Sequence, residues 1–285
     1  MFKMVFKSIN EFLSFIGRHF KALVFLLFIG WLFAQTSTKN IQSPNLASVE
    51  IYGTIDEAKK LTETIYELEN SSDIKGVLLH IDSPGGALGA SVEVMMAVKS
   101  LAAKKPVVAY GAGTMASGSY YASIWADHIV ANPGSFVGSI GVLFQAPNIK
   151  PLADKLGVKE QVVTAGRYKQ IGTFTREWEE FEKEAIKELV DEAYLMFVND
   201  VKEARKIDLD DEVFAQGRVF LASKAKDIGL VDDIGSLQDA KKVLISLSGV
   251  SEPKWKEPTA IDKALSKLKS QNIFGVFNYG LKAIP

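Results

Sequence analysis

Three short segments, in fixed order, carry side chains and backbone that together can do chemistry: Asp82-Ser83-Pro84-Gly85-Gly86, Met115-Ala116-Ser117-Gly118-Ser119-Tyr120-Tyr121, and Gly166-Arg167-Tyr168-Lys169. The first is a glycine turn whose backbone can approach a substrate closely. In the second, Ser117 opens a helix directly after a strand and a glycine-rich turn, where free N–H groups converge and can hold an oxyanion. A serine at such a position is equally an ordinary helix cap, so location alone leaves both readings open.

A serine nucleophile needs a general base, and the histidines are badly placed for it. His19 belongs to the membrane-proximal region, whereas His80 lies inside an apolar strand and His128 starts another, so these last two read as structural. Gly113-Thr114-Met115-Ala116-Ser117 departs from the Gly-x-Ser-x-Gly elbow, because Met115 stands where its first glycine belongs. Lysine is the remaining candidate. An unperturbed lysine amine titrates near ~10.4 and is under ~0.1% deprotonated at neutral pH, so a lysine base must be desolvated to a value of about 7 to 8. Lys169 sits in Ala165-Gly166-Arg167-Tyr168-Lys169-Gln170-Ile171-Gly172, between the strand-like Val162-Val163 and a long amphipathic helix. Taken singly a lysine is a solvated surface residue, and spacing alone does not identify Lys169 as a base.

The elements that must position these residues alternate between apolar β-rich runs and helical patterns, the order of an α/β protein. Strands are expected at 48–53, 76–81, 106–110 and 128–131, and helices at 56–68 with Asp56 as N-cap, through Val92, Met95, Met96 and Val98, at 117–125, and at 176–205. Strands each followed by a crossover helix imply a largely parallel sheet with loops gathered at the strand C-termini. Met115, Val142, Leu143 and Phe144 are apolar enough for a groove wall, although plain core is the simpler reading.

Upstream, residues 22–34 carry no charge and follow Lys3, Lys7, Arg18, His19 and Lys21. The stretch is short for a membrane helix and is lengthened by Phe20, by a snorkelling Lys21 and by Gln35, Thr36 and Ser37 at the far interface. Leu32, two before Ala34, spoils a small-x-small cleavage site, so a retained anchor is expected over a secretory leader. The divisions are then a basic segment at 1–21, an anchor at 22–36, a linker at 37–46, one main domain at 47–248 and a tail at 249–285. With the basic flank inside, the main domain faces outward. The tail has helical periodicity at 260–269, with lysines on one side, and an apolar run at 273–279. It reads as a solvated helix, or as one lying on a membrane surface. The formal net charge is -1, with acids and bases interspersed, so no nucleic-acid footprint appears. The absence of cysteine removes thiolate nucleophiles, disulfides and zinc–thiolate clusters together.

The three segments, with Gly138-Ser139-Ile140-Gly141-Val142, resemble the short bacterial form of signal peptide peptidase A. The resemblance runs from about Val49 to Ala240 and includes Ala215-Gln216-Gly217-Arg218-Val219 and Ile228-Gly229-Leu230-Val231-Asp232. It implies a Clp protease/crotonase-like core of repeated β-β-α units and a membrane-anchored Ser/Lys serine endopeptidase, without metal or cofactor. By that similarity Ser117 is the nucleophile and Lys169 the general base, and Ser139 hydrogen-bonds the lysine amine. Gly85 or Gly86 and the N–H of Gly118 are the oxyanion donors. It further implies released signal peptides as substrates, a homo-oligomer, and the bacterial cytoplasmic membrane with the catalytic domain outward. Ser119 departs from the pattern, which usually has a second glycine there, and its hydroxymethyl is expected to narrow the turn.

Three rivals remain. Gly111-Ala112-Gly113-Thr114-Met115-Ala116 fits Gly-x-Gly-x-x-Ala, but the following strand ends at Asn132 where a ribose-binding acid belongs. A crotonase-like acyl-CoA enzyme would share the fold and oxyanion hole, although an outward-facing domain is cut off from cytosolic acyl-CoA. A catalytically silent, membrane-tethered scaffold is the third.

Overall fold

Near-continuous apolar runs between glycine turns fold here into strand–helix repeats. The computed structural model describes residues 17–22, 24–29, 31 and 43–256. The chain divides into two units, Met1–Ser43 and Pro44–Pro285. In the first, residues 17–22 and 24–29 are helical. Much of the expected anchor at 22–36 lies outside the described residues, and among those described no helix is long and apolar enough to cross a membrane. The tail patterns at 260–269 and 273–279 also lie outside them.

The second unit runs β1 (Leu46–Tyr52), α1 (Lys59–Asn70), β2 (Gly76–Ser83), α2 (Leu88–Ala102), β3 (Val107–Ala116), α3 (Gly118–Ser123), β4 (His128–Ala131) and β5 (Phe136–Gly138). It continues with α4 (Lys150–Leu156), α5 (Glu180–Arg205), α6 (Asp211–Phe214), β6 (Val219–Leu221), α7 (Ala222–Asp227), β7 (Asp233–Ile234) and α8 (Leu237–Ser248). The sheet order is β1-β2-β3-β4-β7, with every neighbouring pair parallel; β5 adds to the end of β3, and β6 pairs antiparallel with β5. β2 is buried along almost its whole length, as a parallel strand covered on both faces must be. On one face Val77, Leu79 and Ile81 meet Val98 and Leu101 of α2 and Phe197 and Val201 of α5. On the other, Leu78, Val108 and Val130 pack under Ala240 and Leu244 of α8. The expected β-β-α repeat is visible as β-α units. Its second-strand layer is reduced to a bridge between Ile55 and Gly86, the bent end of β3, and the β5–β6 pair.

The pairing of β2 with β3 is irregular at one end. Ile81 pairs with Gly111, but Ser83 pairs with Met115, so β3 spends two extra residues where the two strands reach the top of the sheet. Bulges of this kind bend a strand and re-aim its end. The Asp82 carboxylate occupies the detour and accepts the Thr114 N–H at 2.8 Å.

Several expected boundaries move. α1 starts at Lys59 behind Ala58, and Asp56 does not cap it, because the preceding chain is held extended by Ile55 N–H to Gly85 O at 2.9 Å. Val162 and Val163 are exposed and form no strand. The helix expected at 117–125 is confined to Gly118–Ser123. α5 starts four residues late, because Arg176 turns back to the buried Glu182, at 2.7 and 2.8 Å, while Glu179 and Glu182 close a capping box.

Arg176 also reaches Gln170 at 3.5 Å, so this ion pair fastens the segment carrying Lys169 to the head of α5. The Arg176 guanidinium holds the Glu182 carboxyl at about 2, well below the usual carboxylate range. A depressed folded-state value gives stability that is fully present above the ordinary glutamate value and is lost as pH falls toward about 2. Denaturant unfolding between pH 5 and 3 is expected to show a steeper loss of stability in the wild type than in Glu182→Gln. Equal slopes would contradict this assignment.

Candidate active site

Ser117 joins β3 to α3 with φ 52 and ψ -126, a backbone conformation that residues other than glycine rarely adopt. Such strain costs about 1–3 kcal/mol and persists only where the surroundings enforce it. The Ser117 N–H donates to Gly138 O at 2.7 Å, and its carbonyl accepts the Tyr121 N–H at 2.9 Å. Beyond Ser117, α3 is anchored from within the core: Tyr120 Oη donates to Leu230 O at 2.8 Å, while Tyr121 donates to Asp200 and stacks on Phe197.

Because Ala116 and Gly138 are in register, the same ladder brings Ser139 to the site. Ser139 is a second serine at positive φ, 51, and its N–H donates to Arg218 O at 2.7 Å. The loop supplying that carbonyl is pinned by Gln216 Nε2, which donates to Asp211 at 2.8 Å, and Asp211 in turn accepts from Tyr194 Oη at 2.5 Å. Burial, with help from that Asp211 bond, pushes the Tyr194 hydroxyl up to about 12, so it stays a donor.

The glycine turn closes over the serine. A Cβ placed on Gly85 would stand 2.5 Å from Gly118 N and 2.9 Å from both Ala116 O and Ser117 Cβ; Gly85 also has φ +94. A Cβ on Gly86 would run into the backbone of Ile55, and one on Gly118 into Ser91, so all three glycines are required by contact. Their N–H groups differ in one decisive respect. Gly85 N–H is already given to Ser83 Oγ at 3.2 Å, whereas those of Gly86 and Gly118 have no acceptor among the described residues. These two donors lie on neighbouring turns: Gly86 N is 3.2 Å from where a Gly118 Cβ would be. Of the two candidates in the turn, then, Gly86 offers a free N–H, and Gly85 offers the absence of a side chain.

Ser119 does not merely narrow the turn. It is fully buried and links the two arms of the site, accepting the Ala116 N–H at 2.9 Å and donating to Ser83 O at 2.6 Å. The histidines of the second unit are engaged elsewhere, His80 with Glu50 and Tyr52 and His128 with Asp233, consistent with a structural role.

Lys169 is not hydrogen-bonded to Ser117. It lies on an arm, residues 143–169, on which no side chain is buried, and its own side chain is exposed and pairs with no described residue. Its neighbours give it a defined place: Tyr168 packs edge-on against Phe181 of α5, and the Arg167 guanidinium lies 4.2 Å from the same ring. The arm is fastened to the segment that follows it through Ile149 N–H to Phe174 O at 2.8 Å, and through Phe144 against Trp178. Of the four apolar residues considered for a groove, Met115 is core and Val142 is half-buried; Leu143, 77% exposed, and Phe144 are neither.

The family model described as peptidase family S49 matches residues 99–251, and that of Clp protease matches residues 44–126. A Methanocaldococcus jannaschii protein provisionally named a protease is 40% identical over 198 residues, covering 69% of this chain and 64% of the relative. The chloroplastic serine protease SPPA of Arabidopsis thaliana is 32% identical over 207 residues, covering 72% of this chain and 30% of the relative. The chain thus spans about two thirds of the one and under a third of the other. A solved structure of the 1510-N membrane-bound stomatin-specific protease, in mutant form, aligns with TM-score 0.50 over 76% of this chain and 99% of its own, at 12% identity, a likeness of fold alone.

Gly85→Ala is expected to cost about 2 to 4 kcal/mol in denaturant unfolding, since it combines a positive φ with a clash against backbone. Gly89→Ala, at the head of α2 with nothing near, should be neutral or slightly stabilising. Equal effects at the two positions would refute the close approach.

Proposed function

Because this chain belongs to peptidase family S49, we propose that it is a serine endopeptidase with Ser117 as nucleophile and Lys169 as general base. The observation that carries this reading is the convergence of a strained serine and two unbonded N–H donors, those of Gly86 and Gly118, across one contact between turns. In the proposed reaction the neutral Lys169 amine takes the Ser117 Oγ proton as Oγ bonds to a peptide carbonyl carbon. The oxyanion that forms accepts from Gly86 N–H and Gly118 N–H, donors already fixed before charge develops. The intermediate collapses with loss of the amine, which takes the proton from Lys169. Water, deprotonated by the same lysine, then attacks the acyl-enzyme and restores the Ser117 hydroxyl. Ser139, one residue past the carbonyl that binds Ser117 N–H, is the partner that orients the lysine amine.

An exposed ammonium is a poor base, so the reading requires that Lys169 be desolvated by something beyond the described residues. Assembly of several copies through the 143–169 arm supplies it. That arm presents Leu143, Leu152, Leu156 and Tyr168, each more than half exposed, as apolar side chains that a neighbouring copy can cover. The substrates proposed are released signal peptides and other hydrophobic peptides, cleaved on the outer side of the bacterial cytoplasmic membrane, where the uncharged 22–34 stretch holds the chain. The competing reading, a silent scaffold, draws on the same exposure of Lys169.

Labelling of the full-length, membrane-extracted protein with a serine-directed fluorophosphonate separates the two. Wild type is expected to react, Ser117→Ala to lose the label, and Lys169→Ala to lose at least ~1000-fold in peptide hydrolysis while remaining folded. A wild-type oligomer that takes no label would establish the scaffold.

A further inference from the structure

We infer that Ser119 is a positioning residue, whose hydroxyl sets the distance between the nucleophile and the oxyanion donors by tying the glycine turn to the end of β3. The inference rests on Ser117 being the nucleophile and goes beyond it, because Ser119 touches no reacting atom.

The need for such a tie comes from the sheet. Strand pairing fixes the height of β2 against β3 as far as Ile81 and Gly111, then loses register before Ser83 and Met115. The catalytic geometry lies just beyond that break. Gly86 N–H stands three residues past Ser83, and Gly118 N–H two residues past Ala116, so a small slip between Ser83 and Ala116 moves the two donors relative to each other and to Ser117 Oγ. The Ser119 hydroxyl spans this joint: the Ala116 N–H donates to Oγ at 2.9 Å, and Oγ donates to Ser83 O at 2.6 Å, the nearer of two acceptors, the other being Ala116 O at 2.9 Å. Asp82 braces the detour from the other side through Thr114 N–H, but it does not reach the residues that carry the donors.

Three features make the hydroxyl's action local and stiff. Ser119 is 0% exposed, so solvent does not compete for either bond. It lies one residue after Gly118 and two after Ser117, on the first turn of α3, whose tyrosines are locked into the core. Its second partner, Ser83, also uses its own hydroxyl to accept Gly85 N–H, so the clamp continues into the turn that closes over Ser117. Misplacement by ~1 Å at a reacting group is enough to cost about 100-fold in rate, and a donor that drifts by a fraction of this loses less.

The test compares wild type, Ser119→Ala and Ser119→Gly in the full-length oligomer, reading the second-order rate of fluorophosphonate labelling at Ser117 together with kcat and KM on a hydrophobic peptide. Both variants are expected to be folded, to label about 10-fold more slowly and to lose kcat in parallel, with KM within about twofold of wild type. A merely structural role would lower the thermal midpoint and leave the labelling rate and kcat of the folded fraction unchanged; that result overturns the inference. Should both variants fail to fold, Ser119→Cys decides, because it nearly keeps the shape and weakens both bonds: a labelling rate within about twofold of wild type overturns the inference, and a slower one supports it. Absence of labelling in wild type removes Ser117 as nucleophile and the inference with it, whereas labelled wild type with equally reactive Ser119 variants removes the inference alone.

Discussion

The approach of Gly85 to the backbone of Ala116 and Gly118 and to Ser117 Cβ is the contact on which the candidate site depends. Two loops from neighbouring parallel strands meet there with no room for a side chain between them. Glycine on one side is therefore a steric condition for the other side to hold a serine in a strained conformation. The same closeness brings near one another two N–H groups without acceptors among the described residues. Gly118 N–H is buried at the start of α3, where backbone donors lack an intrahelical partner, and Gly86 N–H opens to solvent beside it, so an oxygen arriving from solvent can accept from both.

Much of the remaining structure can be understood as what enforces that contact. The parallel core of β2 and β3 sets the two strands side by side, and the register break allows their ends to curl toward one another. The tyrosines of α3 reach Leu230 and Asp200, so the helix after the serine cannot swing away. On the far side, β5 and the 215–218 loop hold Ser117 and Ser139 through two backbone bonds of 2.7 Å each. Strain at these two serines is thus distributed over a large packed domain, which is how a cost of about 1–3 kcal/mol per residue is tolerated.

The strand pattern, the parallel sheet and the meeting of the first two motifs are legible in the sequence, because apolar periodicity and glycine turns report directly on burial and backbone freedom. Which glycine offers its N–H is not legible. That depends on Ser83 Oγ capturing Gly85 N–H, a side-chain bond two residues long that any Ser-Pro-Gly-Gly turn could make or omit. The Ser119 clamp is hidden for a related reason: its partners, Ala116 and Ser83, come together only across the irregular end of two strands. Helix starts differ from their sequence pattern where a distant partner decides them, as Glu182 does for Arg176 and Gly85 for Ile55. The setting of Lys169 is the largest gap. Its segment has the composition of something coverable, and none of the described residues covers it.

The most direct measurement is a crystal structure of the assembled protein after reaction with a fluorophosphonate. The proposed chemistry predicts a phosphoryl group on Ser117 Oγ, with its oxygen about 3 Å from both Gly86 N and Gly118 N. It also predicts the Lys169 amine in hydrogen-bond reach of Ser117 Oγ and shielded from solvent. A phosphoryl oxygen turned away from those two N–H groups, or a Lys169 still open to water in the assembled state, would contradict it.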